Sequence, residues 1–301
     1  MKKLLVVVGA LLAIVAPAYW WLFLESGTPN GTFALDLSEL RRLADAVPGE
    51  KPTQVRVEHV TTFDFPGLAV VAGDSWATTQ MPVFSYQLVF PDRTVVVDTA
   101  MDEETTKGEG AHGFDAAAFA RVQKALDDAA QIVVTHEHFD HLGGLTTHPR
   151  LDALASKVAL TKAQLAVPEK QQPLRLPAAV QDKLSLLDFE QGHALAPGVV
   201  LWRAPGHTPG SQLVFVRRAD GEEFLFLGDV AWHRDNVDRV RERARLVTSL
   251  FLGEDREGVL RQLAALHALA EAHPKLHVVP GHDGPAVDEL IRAGLLTRQF
   301  Q

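Results

Sequence analysis

The run Thr135-His136-Glu137-His138-Phe139-Asp140-His141-Leu142-Gly143-Gly144 constrains the fold of this chain more than any other stretch. It sets three imidazoles and Asp140 within six positions. A protein core does not bury so many polar groups without a cation to satisfy them. The preceding residues, Ala129-Ala130-Gln131-Ile132-Val133-Val134, read as a short buried strand. The polar groups therefore fall on the loop at the carboxyl end of a strand, the place where open α/β sheets carry their chemistry.

Alternating side chains on such a loop share a direction, so His136 and His138 can clamp one ion and leave Asp140 and His141 for a second. Downstream segments offer further ligands in matching settings. His207 stands in the turn Ala204-Pro205-Gly206-His207-Thr208-Pro209-Gly210 after the strand-like Val199 to Trp202. Asp229 ends the apolar run Phe224-Leu225-Phe226-Leu227-Gly228, and His282 follows Leu276-His277-Val278-Val279-Pro280-Gly281. Each is a polar residue on a turn at a strand end.

At these residues the chain resembles the metallo-β-lactamase-fold hydrolases, whose five ligand-bearing motifs occur here in their usual order: Asp98, His136 to His141, His207, Asp229 and His282. The resemblance spans roughly residues 54 to 290. It implies an α/β fold of the αββα sandwich type, two sheets face to face with helices outside. It also implies one metal held by His136, His138 and His207, a second held by Asp140, His141 and His282, and Asp229 bridging the two. Asp98 would orient a ligand histidine from behind. Nitrogen-rich ligation without thiolate suits two Zn²⁺, with Mn²⁺, Fe²⁺ or Co²⁺ also compatible. The diiron branch of the family has Glu where this chain has His138.

Two such ions about 3.5–4 Å apart share a water, lower its pKa and use it as hydroxide, so the expected reaction is hydrolysis of a small carbonyl substrate. Asp140 is the candidate proton acceptor, and His233, four residues after Asp229, is a candidate substrate-facing group. Departures from the family narrow the substrate. The chain has no cysteine, which excludes lactamases with a zinc-binding Cys, and the other cysteine-free lactamases generally lack the bridging aspartate. Glyoxalase II enzymes share the ligands but add a helical domain, whereas Asp283 to Gln301 alone follow the last ligand here. With 29 basic against 38 acidic residues and a net charge of −9, nucleic acid is disfavoured as a partner. The branch resembling quorum-quenching lactonases and related carboxylester hydrolases remains. Its members commonly place a tyrosine after the bridging Asp, but Val230-Ala231-Trp232-His233-Arg234 offers none. β-Lactamase, thioesterase and phosphodiesterase activity are the alternatives within the fold, and a membrane-tethered metal-binding regulator without turnover is the alternative outside enzymology.

Trp76, Met81, Phe84, Trp232 and Phe251 are candidates for an apolar pocket wall, and Ala72 to Met81 for a flap over the metals. Lys2 and Lys3 precede Leu4 to Leu24, 21 uncharged residues that are long enough for a membrane span. A signal peptide cleaved after Ala16-Pro17-Ala18 is the rival reading. Either way the catalytic part is exported, anchored in the inner membrane facing the periplasm or outside of the cell, or soluble there after cleavage. Residues 1–24 thus form the anchor or signal, 25–53 a linker with a short helix over Glu39 to Val47 capped by Ser38, and 54–301 the catalytic domain. Helices are expected at Ala116 to Ala130, Lys162 to Ala166, Val237 to Arg245 and Glu257 to Ala272, with Arg234 to Arg245 read as a solvated charged face.

Overall fold

The computed structural model describes the backbone of residues 1–301 and every side chain except those of residues 2, 6, 8 and 10. Its strands are β1 (Gln54–Pro66), β2 (Thr78–Val89), β3 (Thr94–Val97), β4 (Gln131–Val133), β5 (Gly192–Ala196), β6 (Val199–Arg203), β7 (Gln212–Arg217), β8 (Glu223–Phe226), β9 (Leu276–Val279) and β10 (Thr297–Arg298). They form two five-stranded sheets of order β10-β1-β2-β3-β4 and β5-β6-β7-β8-β9. Each sheet is mixed: β3 pairs with β4 in parallel, as does β8 with β9, while the hairpin-connected strands run antiparallel.

Period-two alternation explains the layers, because successive residues of a strand point to opposite faces. Val95 and Val97 of β3, Val214 and Val216 of β7, and Phe224 and Phe226 of β8 meet in one core between the sheets. The intervening residues face outward. Val96 packs with Val122, Ala125 and Leu126 of the helix Ala116–Asp128. Leu213, Phe215 and Leu225 pack with Leu263 and Leu266 of the helix Arg256–Ala272 and with Leu37 and Leu40 of the helix Leu37–Ala44. Strands covered on both faces must be apolar at nearly every position, which is why these runs do not alternate in polarity. The four layers are the expected αββα sandwich.

Several local expectations are corrected. The short helix is Leu37–Ala44, and its cap is Asp36, whose carboxylate accepts from the Ser38 N–H at 2.9 Å and from Ser38 Oγ at 2.7 Å. The expected helix Val237 to Arg245 is replaced by a helix over Arg234–Asp238, after which Val240 takes φ 48° and the chain turns inward. Glu242 and Arg243 are buried rather than solvated. Glu242 accepts from Ser26 Oγ at 2.6 Å and the Gly27 N–H at 3.0 Å, and Glu25 pairs with Arg245 and Arg256. The stretch expected as a linker is thereby tied to the domain by charges that its local sequence gave no reason to pair. Among the described residues no helix is long and apolar enough to cross a membrane. The expected span over residues 4–24 lies partly outside the described side chains, since it includes residues 6, 8 and 10.

Gly144 shows how the fold presses on the histidine-rich motif. A Cβ there would lie 2.0 Å from the carbonyl oxygen of Thr99, which follows Asp98, and the obstacle is backbone, which cannot swing aside as a side chain can. Gly144→Ala is expected to destabilise the protein by about 2–3 kcal/mol through overpacking. A shift of the urea midpoint to lower concentration at unchanged slope would show it, and an unchanged midpoint would refute the contact.

Candidate metal centre

β4 ends at Val133, and the chain passes through Val134 to His138 before the helix Phe139–Thr146. His136 and His138 thus sit on the loop, as expected, whereas Asp140 and His141 occupy the first turn of that helix. Asp98, just past β3, adopts φ 58°, a left-handed conformation that only surrounding structure sustains in a non-glycine residue. Its Oδ1 accepts the Thr135 N–H at 2.6 Å, and its Oδ2 lies 2.9 Å from both Thr135 Oγ1 and His141 Nδ1. The strained backbone aims one carboxylate at the loop and at a motif histidine together.

The motifs meet in two clusters. His138 Nδ1 lies 3.1 Å from His136 Nε2 and 2.9 Å from His207 Nε2. Three imidazole nitrogens pointed at one spot cannot satisfy one another, since each ring has one lone pair and the arrangement needs an electrophile at its centre. In the second cluster Asp140 Oδ2 is 3.6 Å from His141 Nε2 and 3.5 Å from His282 Nε2. Asp229 lies between them. Its Oδ2 faces the first cluster, 3.4 Å from His207 Nε2 and 3.8 Å from His136 Nε2. Its Oδ1 faces the second, 3.2 Å from His141 Nε2 and 3.1 Å from His282 Nε2. His141 Nε2 and Asp229 Oδ1 are buried without a hydrogen-bond partner, a cost that a cation between them removes. The donor set fits two metal ions: His136, His138, His207 and Asp229 gather as one group, His141, His282 and Asp229 as another, and Asp140 groups with His136 and His141.

Burial first, then neighbouring imidazoles, push His136 and His138 well below the ordinary histidine value. Burial also works against charge on His141, but Asp140, Asp98 and Asp229 outweigh it and raise its pKa well above that value. His282 is raised against burial mainly by Asp229. Burial disfavours the Asp229 anion, yet His282, His141 and His136 hold its pKa well below the usual carboxylate range. A field that draws positive charge to the space between these residues is the field a divalent cation requires.

The rear nitrogens of the ligand candidates are also held. His282 Nδ1 lies 2.9 Å from the Pro82 carbonyl, and His207 Nδ1 contacts Glu254, which is itself paired with buried Arg243. The Arg243 guanidinium lies 4.7 Å from the Trp232 ring centroid, and Trp232 Nε1 donates to Asp229 Oδ2 at 2.6 Å. Asp229, Trp232, Arg243, Glu254 and His207 therefore close a buried loop around one side of the site. Glu137 joins two motifs by accepting from Thr208 Oγ1 at 2.8 Å and the Gly210 N–H at 3.1 Å. Glu254, Arg243 and Glu137 were not singled out in the sequence. Glu137 carried a signal, a carboxylate inside the histidine motif, but Arg243 lay in the run expected as a solvated charged face and Glu254 in a stretch without pattern.

A cavity of about 810 Å³ opens onto the centre and reaches His138, Asp140, Asp229 and His282. Trp76, Met81, Trp232 and Phe251 line it, as expected, together with Phe63 and Phe65 of β1 and Phe23 from the amino-terminal segment. The ring of Phe65 stacks on Trp232 at 5.8 Å. Two expectations fail. Phe84 lies in the core between the sheets, because it has the opposite parity to Met81 on β2 and its ring meets Tyr86. His233 does not line the cavity: it caps the helix Arg234–Asp238, with Nε2 3.5 Å from Asp283 Oδ1. Trp232 does not replace the missing tyrosine as a free donor either, since its N–H is engaged by Asp229.

A family model described as the metallo-beta-lactamase superfamily matches residues 78–282. An N-acyl homoserine lactonase of Bacillus thuringiensis is 25% identical over 174 residues, covering 52% of this chain and 67% of that protein. One from Bacillus cereus is 23% identical over the same length, with the same coverage of each chain. Among solved structures, an N-acyl homoserine lactone hydrolase with N-hexanoyl-L-homoserine bound at its catalytic metal center has a TM-score of 0.61 at 19% identity, covering 80% of this chain and 97% of that one. AidC, a dizinc quorum-quenching lactonase, gives 0.53 at 16% identity, covering 78% and 89%. These structural likenesses bear on the fold.

Glu254 acts through His207. Glu254→Gln is expected to weaken Zn²⁺ binding by about 10–100-fold, the usual cost of losing a carboxylate behind a ligand histidine. Competition against a chromophoric chelator measures it, and an unchanged affinity would show that the Glu254 contact does not orient the ring.

Proposed function

Because this chain belongs to the metallo-beta-lactamase superfamily, we propose that it is a dinuclear metal-dependent hydrolase, loaded with two Zn²⁺, that opens a lactone or cleaves a carboxylic ester. The observation that carries this reading is the Asp229 carboxylate, whose two oxygens address separate clusters of imidazoles. His136, His138 and His207 would hold one ion, Asp140, His141 and His282 the other, and Asp229 both. When bound, the pair supplies Lewis acidity for the carbonyl and a lowered pKa for the attacking water.

The residues of the chain do the rest. Asp140 lines the cavity with its carboxylate at the metal centre, so Oδ2 is placed to take the proton of the nucleophile. Asp98 and Glu254 hold the rear nitrogens of His141 and His207 and so fix ring orientation. Met81, Phe65 and Trp232 supply an apolar surface that excludes water and accepts an acyl chain. The named relatives are N-acyl homoserine lactonases, which supports an acyl lactone as substrate. The predominantly apolar lining supports the same class over β-lactams and phosphodiesters. For location we propose export with residues 4–24 as a membrane anchor, supported by the uncharged run and by the exposure of Leu4, Leu11 and Ile14.

Two outcomes test this. The Zn²⁺-loaded full chain in detergent is expected to bind two metal equivalents and to turn over long-acyl lactones or aryl esters in preference to β-lactams, thioesters and phosphodiesters. Two equivalents with no turnover across that panel would turn the reading into metal binding without catalysis. Asp140→Asn is expected to lower kcat by about 10²–10⁴-fold, the range for loss of a general base. Full activity in that variant would remove Asp140 from the proton transfer.

A further inference from the structure

We propose that the mouth of the metal-site cavity rests on a lipid bilayer and that the cavity takes its acyl-bearing substrate out of the bilayer, with the amino-terminal segment as one of its walls. The nature of the reaction rests on the hydrolase reading above, whereas the seating rests on the surface alone.

Among the described residues, every large apolar side chain that is strongly exposed falls in three places: residues 1–21, Trp76, and the pair Leu250 and Phe251. A folded surface of this size ordinarily scatters such residues singly. Here Trp76 and Phe251 stand at one opening, where the end of the amino-terminal segment meets them through Tyr19 and Phe23. Trp76 and Phe251 line the cavity while remaining 62% and 77% exposed, so they stand where it meets the outside. The π-helical segment Leu246–Leu252 faces both ways: Leu246, Val247 and Leu252 line the cavity, and Leu250 is 70% exposed.

The amino-terminal segment is joined to this rim. Trp76 Nε1 donates to Tyr19 Oη at 3.0 Å, and the Phe23 ring lies 5.8 Å from that of Trp76. Phe23 itself lines the cavity, and its carbonyl accepts the Gly73 N–H at 2.9 Å. The ion pairs of Glu25 with Arg245 and Arg256 hold the segment against the domain. The helix Lys2–Tyr19 continues from that wall, with Leu5, Leu12 and Val15 exposed.

The chemistry selects a bilayer as the occupant over a protein groove or a second copy. An uncharged run of 21 residues, Leu4 to Leu24, leads into the rim, and near its far end it carries Tyr19, Trp20 and Trp21, the aromatic types that settle at the boundary between acyl chains and headgroups. The Arg245 guanidinium, paired with Glu25, lies 4.6 Å from the Trp21 ring centroid and so holds that aromatic beside the rim. A long acyl chain partitions into the same layer, so it reaches the cavity without crossing water.

The chain lacks cysteine, which permits single-site labelling of the full-length protein. Leu250→Cys, Phe251→Cys and, as a control on an outer helix, Glu271→Cys would each carry a nitroxide in vesicles of phosphatidylcholine and phosphatidylglycerol. The labels at 250 and 251 are expected to be accessible to oxygen and protected from a water-soluble nickel complex, with the reverse at 271. Labels at 250 and 251 as open to nickel as the one at 271 would overturn the proposal. Lipid-buried labels in a protein that hydrolyses nothing would leave the seating standing and count against the hydrolase reading only. Leu250 does not line the cavity, so Leu250→Asp is expected to lower kcat/KM about tenfold for a long-acyl lactone dissolved in the vesicles, as loss of one apolar anchor predicts, and to leave a short-acyl, water-soluble lactone unaffected. Equal losses on both, or on neither, would overturn it.

Discussion

The structure depends on a buried carboxylate, Asp229, that faces imidazoles on two sides. An isolated anion at that depth is prohibitively unfavourable, and uncharged neighbours would not repair it. The surrounding histidines hold it ionised while it favours charge on His141 and His282, so the site is stable only as a group. Because its members come from β4, the helix after it, and the turns following β6, β8 and β9, the requirement that they converge ties both sheets together at one end.

Support for the group spreads outward through contacts of decreasing polarity. The first surround is charged or hydrogen-bonded: Asp98 behind His141, Glu254 behind His207, Glu137 bracing the turn that carries His207. Beyond it, Arg243 joins Glu254 to the face of Trp232, whose N–H returns to Asp229. Burying Arg243 and Glu254 is tolerable because their opposite charges pair, and removing either would strand the remaining charge. Trp232 belongs to both environments, polar at its nitrogen and apolar along the ring that lines the cavity. The candidate metal centre and the cavity wall are therefore not independent parts.

The same economy links the cavity to the amino terminus. A fragment trimmed to the expected domain boundary at residue 54 would lose Phe23 from the cavity wall, the Glu25 pairs with Arg245 and Arg256, and the Ser26 contact with buried Glu242. Segments that appear to be mere connection in one dimension become lining in three.

What the sequence determined by itself was which groups need a common partner. His136, His138, Asp140, His141, His207, Asp229 and His282 could be picked out as candidates because polar residues at the ends of apolar runs are costly unless they share a ligand, while the layers followed from the resemblance that these residues carry. Tertiary structure decided everything that depends on parity and on long-range charge. Phe84 and Met81 are three positions apart and equally apolar, yet the pleat sends one between the sheets and the other to the cavity. His233 looked poised for the substrate but meets Asp283, a residue fifty positions on. Glu242 and Arg243 read as solvated charges and Glu254 drew no reading, because local sequence carries no trace of a partner brought near by the packing of distant elements. Residue type and spacing specify which groups need company, and only the fold decides which company they keep.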